Sequence, residues 1–330
     1  MSIGQRRRLP PTASGGSEGP VDRDTSDAAP VAFIIGPARS GTSLLYKTLC
    51  LHPDAAWISN WVARYPGTPQ LAALNRLARI MPSRAQRVWF ADGGNAYVYG
   101  SPRRWADRAF PMPVEGEPLY AASGVRLIGA GPDRPIGERL QRAFRTVRAL
   151  GGGSVLISKR IANNGRIPFL ARAFPGARFV EVVRDGRAVA RSLFAVDWWL
   201  DSVVPWYGGT PREWAAEGRD PWELCARNWV EETRSIRAGL TSVAEDRVTR
   251  IHYEALVADP IPTLEAVARA IGLGPDPRWH AALEGLSFPD RNERWRRELD
   301  PAVVDRITPV LSEELQALGY LDGDGGGTGS

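Results

Sequence analysis

The segment Phe33-Ile34-Ile35-Gly36-Pro37-Ala38-Arg39-Ser40-Gly41-Thr42-Ser43-Leu44 runs from an apolar stretch through a glycine-bounded loop into the start of a helical pattern. In that arrangement the free N–H groups of a helix N-terminus face an anion, and the helix dipole adds to the attraction. Gly36 and Gly41 bracket four residues, which is the opening spacing of a nucleoside-triphosphate loop. The lysine that should follow the second glycine is replaced by Thr42, so the usual contact to the β- and γ-phosphates is missing. The cation stands inside the loop instead, as Arg39. The pattern indicates phosphate binding and speaks against nucleotide hydrolysis. A kinase or NTPase, and a nucleotide-binding protein without transferase activity, are the competing classes.

A second anion site is predicted where Ala177–Val183, an apolar strand pattern, ends on Arg184-Asp185-Gly186-Arg187. An arginine at the C-terminal end of a strand places its guanidinium at the edge where α/β sheets bind ligands. Ser192, in the first turns of the next helix, can bring a hydroxyl to the same phosphate, a charge-assisted site. The chain also shows a strong cation bias: of 42 basic residues only Lys47 and Lys159 are lysines. Where any cation serves, arginine is the expected letter, so these two mark positions suited to a compact ammonium.

The elements that must position these groups alternate. Strands are predicted at Val31–Ile35, Ser154–Ser158, Ala177–Val183 and Arg247–His252. Helices are predicted near Thr42–Leu51, Ile167–Phe174, Arg187–Phe194, Thr263–Ile271 and Pro301–Leu318. Strands separated by helices imply a three-layer α/β/α fold with a mostly parallel central sheet. Residues 1–30, polar and rich in Pro, Gly and Ser, are expected to be a disordered leader, and 322–330 a flexible tail. Residues 31–321 are expected to form one domain. Two stretches break the alternation, about 61–150 and 195–230, and the second holds six of the twelve tryptophans. Those rings are expected to serve partly as core and partly as the wall of an acceptor pocket.

Together these segments resemble the sulfotransferase family, which uses 3′-phosphoadenosine-5′-phosphosulfate (PAPS). Its loop has the form PxRSGT[TS]LL and its second motif the form VRDxRAVxxS, and both stand here in the same order. Val155-Leu156-Ile157-Ser158-Lys159 is similar to the family strand that ends in lysine, and Ile251-His252-Tyr253-Glu254 to its Tyr-Glu segment. The resemblance implies a P-loop-like fold. It implies that Arg39, Ser40, Gly41, Thr42 and Ser43 cradle the 5′-phosphate and sulfate, that Arg184 and Ser192 take the 3′-phosphate, and that Tyr253 lies by the adenosine. Lys159 is implied as the electrophilic helper at the transferring group, with Arg39 assisting, and Arg291 or Arg294 as a basic cover over the phosphates.

The resemblance leaves the general base open. The protein-tyrosine branch of the family carries a glutamate at the position held here by Asn60, and the cytosolic branch a histidine where Ile161 stands. Asp92, Glu115, Asp197 and Asp201 are the alternatives in the unmatched regions, unless the acceptor needs no base. No His/Cys/carboxylate cluster has metal-ligand spacing, so no metal is expected, and His52, His252 and His280 are expected to be structural. A net charge of +5 suits an anionic ligand but not a nucleic-acid track. No membrane span or signal peptide is expected. Two cysteines without a disulfide framework suggest a cytoplasmic protein. The expected acceptor is a hydroxyl, or an amine, of a small molecule, glycan or glycolipid.

Overall fold

A computed structural model describes residues 30–90, 105–125 and 134–321. The leader, the tail and the base candidate Asp92 lie outside the described residues. Five strands form one sheet: β1 (Val31–Ile35), β2 (Ala55–Trp57), β3 (Val155–Lys159), β4 (Arg178–Val183) and β5 (Val248–His252). Their order is β2-β3-β1-β4-β5 and every pairing is parallel. The four expected strands are present within a residue or two of their predicted ends. β2 is an addition. It is only three residues long and fully buried, so it carries no alternation that could announce it.

Helices cover both faces, which explains why the central β1 reads as an unbroken, fully buried apolar run, whereas the edge strand β5 does not. Period-two alternation sorts β1 between two cores. Val31, Phe33 and Ile35 enter one with Phe144, Leu170 and Phe179, whereas Ala32 and Ile34 enter the other with Leu45, Leu49 and Val182. The helices used below are α1 (Thr42–Cys50), α2 (Arg134–Gly151), α3 (Ile167–Ala173), α4 (Gly186–Phe194), α5 (Pro221–Leu240), α6 (Tyr253–Ala258), α7 (Pro260–Ala270) and α8 (Pro301–Ala317). Asp185, Asp220 and Asp300 cap α4, α5 and α8 by accepting from the backbone N–H of the second residue of each helix.

Part of the Trp-rich stretch serves as core. Trp199, Trp214 and Trp229 are buried in a third core with Leu193, Ile307 and Leu311, joining α4, α5 and α8. Trp198 stays exposed, in company with Phe194, Leu200 and Val203.

The connection leaving β1 runs to β2 on one side of the sheet and the one leaving β3 runs to β4 on the other, so the direction of winding reverses at the C-terminal ends of β1 and β3, where such sheets bind ligands. Gly36, Lys159, Arg184 and Tyr253 each follow or end a strand at that edge. Lys47 serves elsewhere. It is buried on α1 and donates from Nζ to the Trp89 carbonyl at 2.6 Å, and burial lowers its ammonium to about 8. A compact ammonium that neutralises a helix C-terminus suits the rarity of lysine in this chain.

Candidate active site

The loop from β1 to α1 is held in a conformation that few side chains tolerate. Gly36 has φ 147° and Gly41 φ 91°, and Arg39 (φ 70°) is the one non-glycine in the left-handed region among the described residues. A Cβ on Gly36 would lie 2.5 Å from the Val182 carbonyl oxygen; one on Gly41 would lie 2.5 Å from the Tyr253 ring. Ser40 Oγ and Thr42 Oγ1 are buried with no hydrogen-bond partner among the described residues. A stranded hydroxyl costs about 1–3 kcal/mol, so two of them in a glycine-framed cradle at a helix N-terminus fit an anion that accepts from both.

Side chains from distant elements brace the loop. Asn164 accepts from Gly36 N at 3.1 Å and donates to Gly36 O at 3.0 Å. Glu232 on α5 accepts from Ala38 N at 2.8 Å and from Asn228 at 3.1 Å. Burial pushes the Glu232 carboxyl up to about 7, even though these donors and Lys159 favour its charge. A carboxyl raised in the folded state is most favourable below its unfolded value and loses that contribution as pH climbs through the folded one. Glu232→Gln is therefore expected to flatten the decline in stability between about pH 4.5 and 7, read from Tm against pH. An unchanged profile would show that Glu232 does not titrate there.

The predicted 3′ site is built around Arg184, which is buried with its ring partner Tyr253 at 4.0 Å from the guanidinium carbon. It donates to Arg39 O at 2.9 Å, Arg291 O at 3.1 Å and Asn292 Oδ1 at 3.3 Å. Desolvation lowers its pKa from the ordinary guanidinium value. Ser192 accepts from Arg39 Nε at 3.0 Å. The two halves of the expected nucleotide site are thus joined through Arg39, and the C-terminal segment closes on them. It does so with the carbonyl of Arg291 and the amide of Asn292.

Lys159 ends β3 in register with Ile34 on β1, two residues short of Gly36. It is 1% exposed and its Nζ lies 2.5 Å from Glu115 Oε1; Arg160 holds the other oxygen at 2.5 Å. Glu117 in turn pairs with Arg160 at 3.1 Å and Arg166 at 2.8 Å. Burial works to raise the Glu115 carboxyl, but Lys159 and Arg160 outweigh it and hold it below the usual carboxylate range.

Of the three described carboxylates considered as bases, Glu115, Asp197 and Asp201, Glu115 is the one placed at the lysine. Asp197 is exposed, and Asp201 pairs with Arg212 at 2.6 Å on the surface. Asn60 is occupied structurally: it donates to the carbonyls of Arg108 and Phe110, both at 3.2 Å, and accepts from Met112 N at 3.1 Å. Asn60 thus secures the stretch of chain that leads to Glu115. Sequence reasoning missed Asn164, Glu232 and Asn292. Each acts through tertiary placement on an element with no local signature. No cluster of potential metal ligands occurs among the described residues.

Residues 30–277 match the model of the Sulfotransferase family. Among similar proteins, the omega-hydroxy-beta-dihydromenaquinone-9 sulfotransferase Stf3 of Mycobacterium tuberculosis is 25% identical, over 90% of this chain and 81% of the relative. The protein of that name from Mycobacterium bovis matches equally. Among solved structures, sulfotransferase STF9 from Mycobacterium avium superposes with a TM-score of 0.53 at 15% identity, covering 88% of this chain and 77% of that one. That likeness bears on the fold, and it agrees with the parallel sheet. The family match runs through the phosphate loop, Lys159, Arg184 and Tyr253 alike, so the chain belongs to the sulfotransferase family and its chemistry is the transfer of a sulfuryl group to a hydroxyl.

Proposed function

We propose that the donor is PAPS, that the acceptor hydroxyl is carried on an apolar molecule, and that Glu115 is the base. The observation that carries this reading is the buried Lys159–Glu115 pair beside the phosphate loop. When bound, PAPS supplies the sulfuryl group. The chain's own residues do the rest. Ser40, Thr42 and the N–H groups from Gly41 to Ser43 hold the 5′ side, with Arg39 neutralising charge there. Arg184 and Ser192 hold the 3′-phosphate, and Tyr253 packs by the adenosine. Glu115 takes the acceptor's proton as its oxygen bonds to sulfur. Once Glu115 is neutral, the Lys159 ammonium is released to donate to the oxygen left behind when the sulfur–oxygen bond breaks.

An apolar acceptor is supported by the exposed Phe194, Trp198, Leu200 and Val203 on the Trp-rich stretch. It is supported too by the mycobacterial relative, which is named for a hydroxylated menaquinone. No helix among the described residues is long and apolar enough to cross a membrane, and we place the reaction in the cytoplasm.

The donor assignment is tested by thermal shift. 3′-Phosphoadenosine-5′-phosphate at a hundred times its Kd should stabilise the fold by about 2.7 kcal/mol, and ATP with Mg²⁺ by far less. Equal shifts, or a larger one with ATP, would overturn it.

A further inference from the structure

The positive charge of this chain is not spread evenly. Residues 60–90 and 139–153 contain nine arginines and no aspartate, glutamate or lysine. With a net charge of +5 overall, the remainder of the chain carries −4. The fold packs these two stretches against each other. Residues Pro69–Asn75 lie along α2, Arg76 Nε donates to Leu150 O at 2.9 Å, and Arg79 donates to Gly152 O and Ala55 O. The result is a cationic face along α2 from Arg139 to Gly151, roughly 20 Å at 1.5 Å per residue, with the exposed Glu138 at its edge.

Along α2 the apolar Leu140, Phe144 and Val147 point into the core, and Arg139, Arg142 and Arg145 form the exposed stripe. A groove opens on this face between the Pro66–Pro69 turn and α2, lined by Pro66, Pro69, Leu119, Arg139, Arg142 and Thr146. It contains no carboxylate. One helical turn beyond Thr146, where Arg76 reaches Leu150, the short helix Arg76–Ile80 turns its apolar residues outward. Ile80 is 75% exposed, Leu77 44% and Met81 40%, and Tyr65 beside the groove is 48% exposed. Four of the eight large apolar side chains exposed among the described residues therefore fall within a stretch that has no acid.

We propose that this face docks on the surface of an anionic phospholipid bilayer, with the groove at Arg139 and Arg142 receiving a lipid phosphate and Ile80, Leu77 and Met81 entering the acyl boundary. Charge complementarity selects a polyanionic partner, and the outward aliphatic groups select lipid over nucleic acid or an acidic glycan, neither of which offers them an apolar phase. Not every cation contributes: Arg84 is spent on Asp107 at 3.2 Å, and Arg139 gives its Nε to Ser123 O at 3.0 Å. Arg142 and Arg145 are exposed on α2 and set the test. The docking face stands apart from the donor site and does not depend on the donor or the base assigned above. The short helix Glu117–Ala122 links the two regions, since Leu119 lines the groove and Glu115 lies just upstream.

The experiment is co-sedimentation of the full chain with phosphatidylglycerol–phosphatidylcholine vesicles and with pure phosphatidylcholine. Binding should require phosphatidylglycerol and weaken in 1 M salt. Each arginine at such a surface contributes about a fivefold partition, so Arg142→Glu with Arg145→Glu should reduce binding by about twentyfold or more. Ile80→Ser should reduce it severalfold without any change of charge. All variants should keep the thermal shift given by 3′-phosphoadenosine-5′-phosphate, which verifies the fold. No binding to anionic vesicles, or equal binding by parent and double variant, would overturn the proposal. So would equal affinity for soluble heparin combined with no effect of Ile80→Ser, because the face would then read charge alone.

Discussion

Lys159→Ala is expected to slow sulfuryl transfer by about a thousandfold while affinity for 3′-phosphoadenosine-5′-phosphate changes by less than about threefold. Removing one preorganised donor from a transition state costs about 10²–10³ in rate, and this lysine is 1% exposed, where no water can take its place. The substitution also strips Glu115 of one of two cations. Arg160 remains at 2.5 Å on the other oxygen, so the carboxylate is not left unpaired and the fold should survive. Lys159→Arg should not rescue, because the planar guanidinium cannot occupy the space of a compact ammonium in the floor of β3.

Glu115→Gln separates the proton-transfer role from the ion pair: it keeps an oxygen for Lys159 and loses the base. A drop of about 10²–10⁴ in kcat is expected. The folded carboxyl is depressed, so the base is ionised and the parent's rate flat through neutral pH, declining only as pH falls into the acid range where the pair is protonated. The Gln variant should lack that acid limb. An unaltered kcat, or an unaltered acid limb, would remove Glu115 from the chemistry and return the base to an open question.

The parts legible in the sequence were those in which one short segment carries both a fold signal and a chemical one. Gly36 and Gly41 mark backbone geometry and an anion cradle at once. Lys159, Arg184 and Tyr253 each terminate a strand pattern, and a parallel sheet brings strand C-termini to one edge whatever their separation in sequence. What could not be read are the contacts made across the fold. Glu115 sits 44 residues from Lys159 in a stretch with no periodicity, and it reaches the lysine because Asn60 fixes the chain at Phe110 and Met112. Asn60 read as a missing base; the fold uses it as an anchor. Glu232 lies 194 residues from Ala38, on a helix whose pattern reports only its packing. β2 escaped notice because three buried residues have no period to detect.

Gly41→Ala should weaken binding of 3′-phosphoadenosine-5′-phosphate by about a hundredfold or more with the overall fold retained. Two costs add. The backbone stands at φ 91°, and holding a residue with a Cβ in such a region costs about 1–3 kcal/mol. The new methyl would also sit 2.5 Å from the Tyr253 ring, a distance that real contacts do not reach. That ring cannot yield without consequence, since its face carries the Arg184 guanidinium at 4.0 Å. Arg184 in turn holds Arg39 O in the loop and Arg291 O in the C-terminal segment. One methyl therefore disturbs the 5′ cradle, the 3′ arginine and the segment that closes on both. A loss of about 2.7 kcal/mol or more corresponds to the hundredfold change, and isothermal titration would read it directly. Gly186→Ala serves as the matched control: its Cβ would meet the Trp229 ring at 2.6 Å, away from the loop, and the cost should fall on Tm. If Gly41→Ala bound the bisphosphate as tightly as the parent, the coupling of the two phosphate sites through Tyr253 and Arg184 would be wrong.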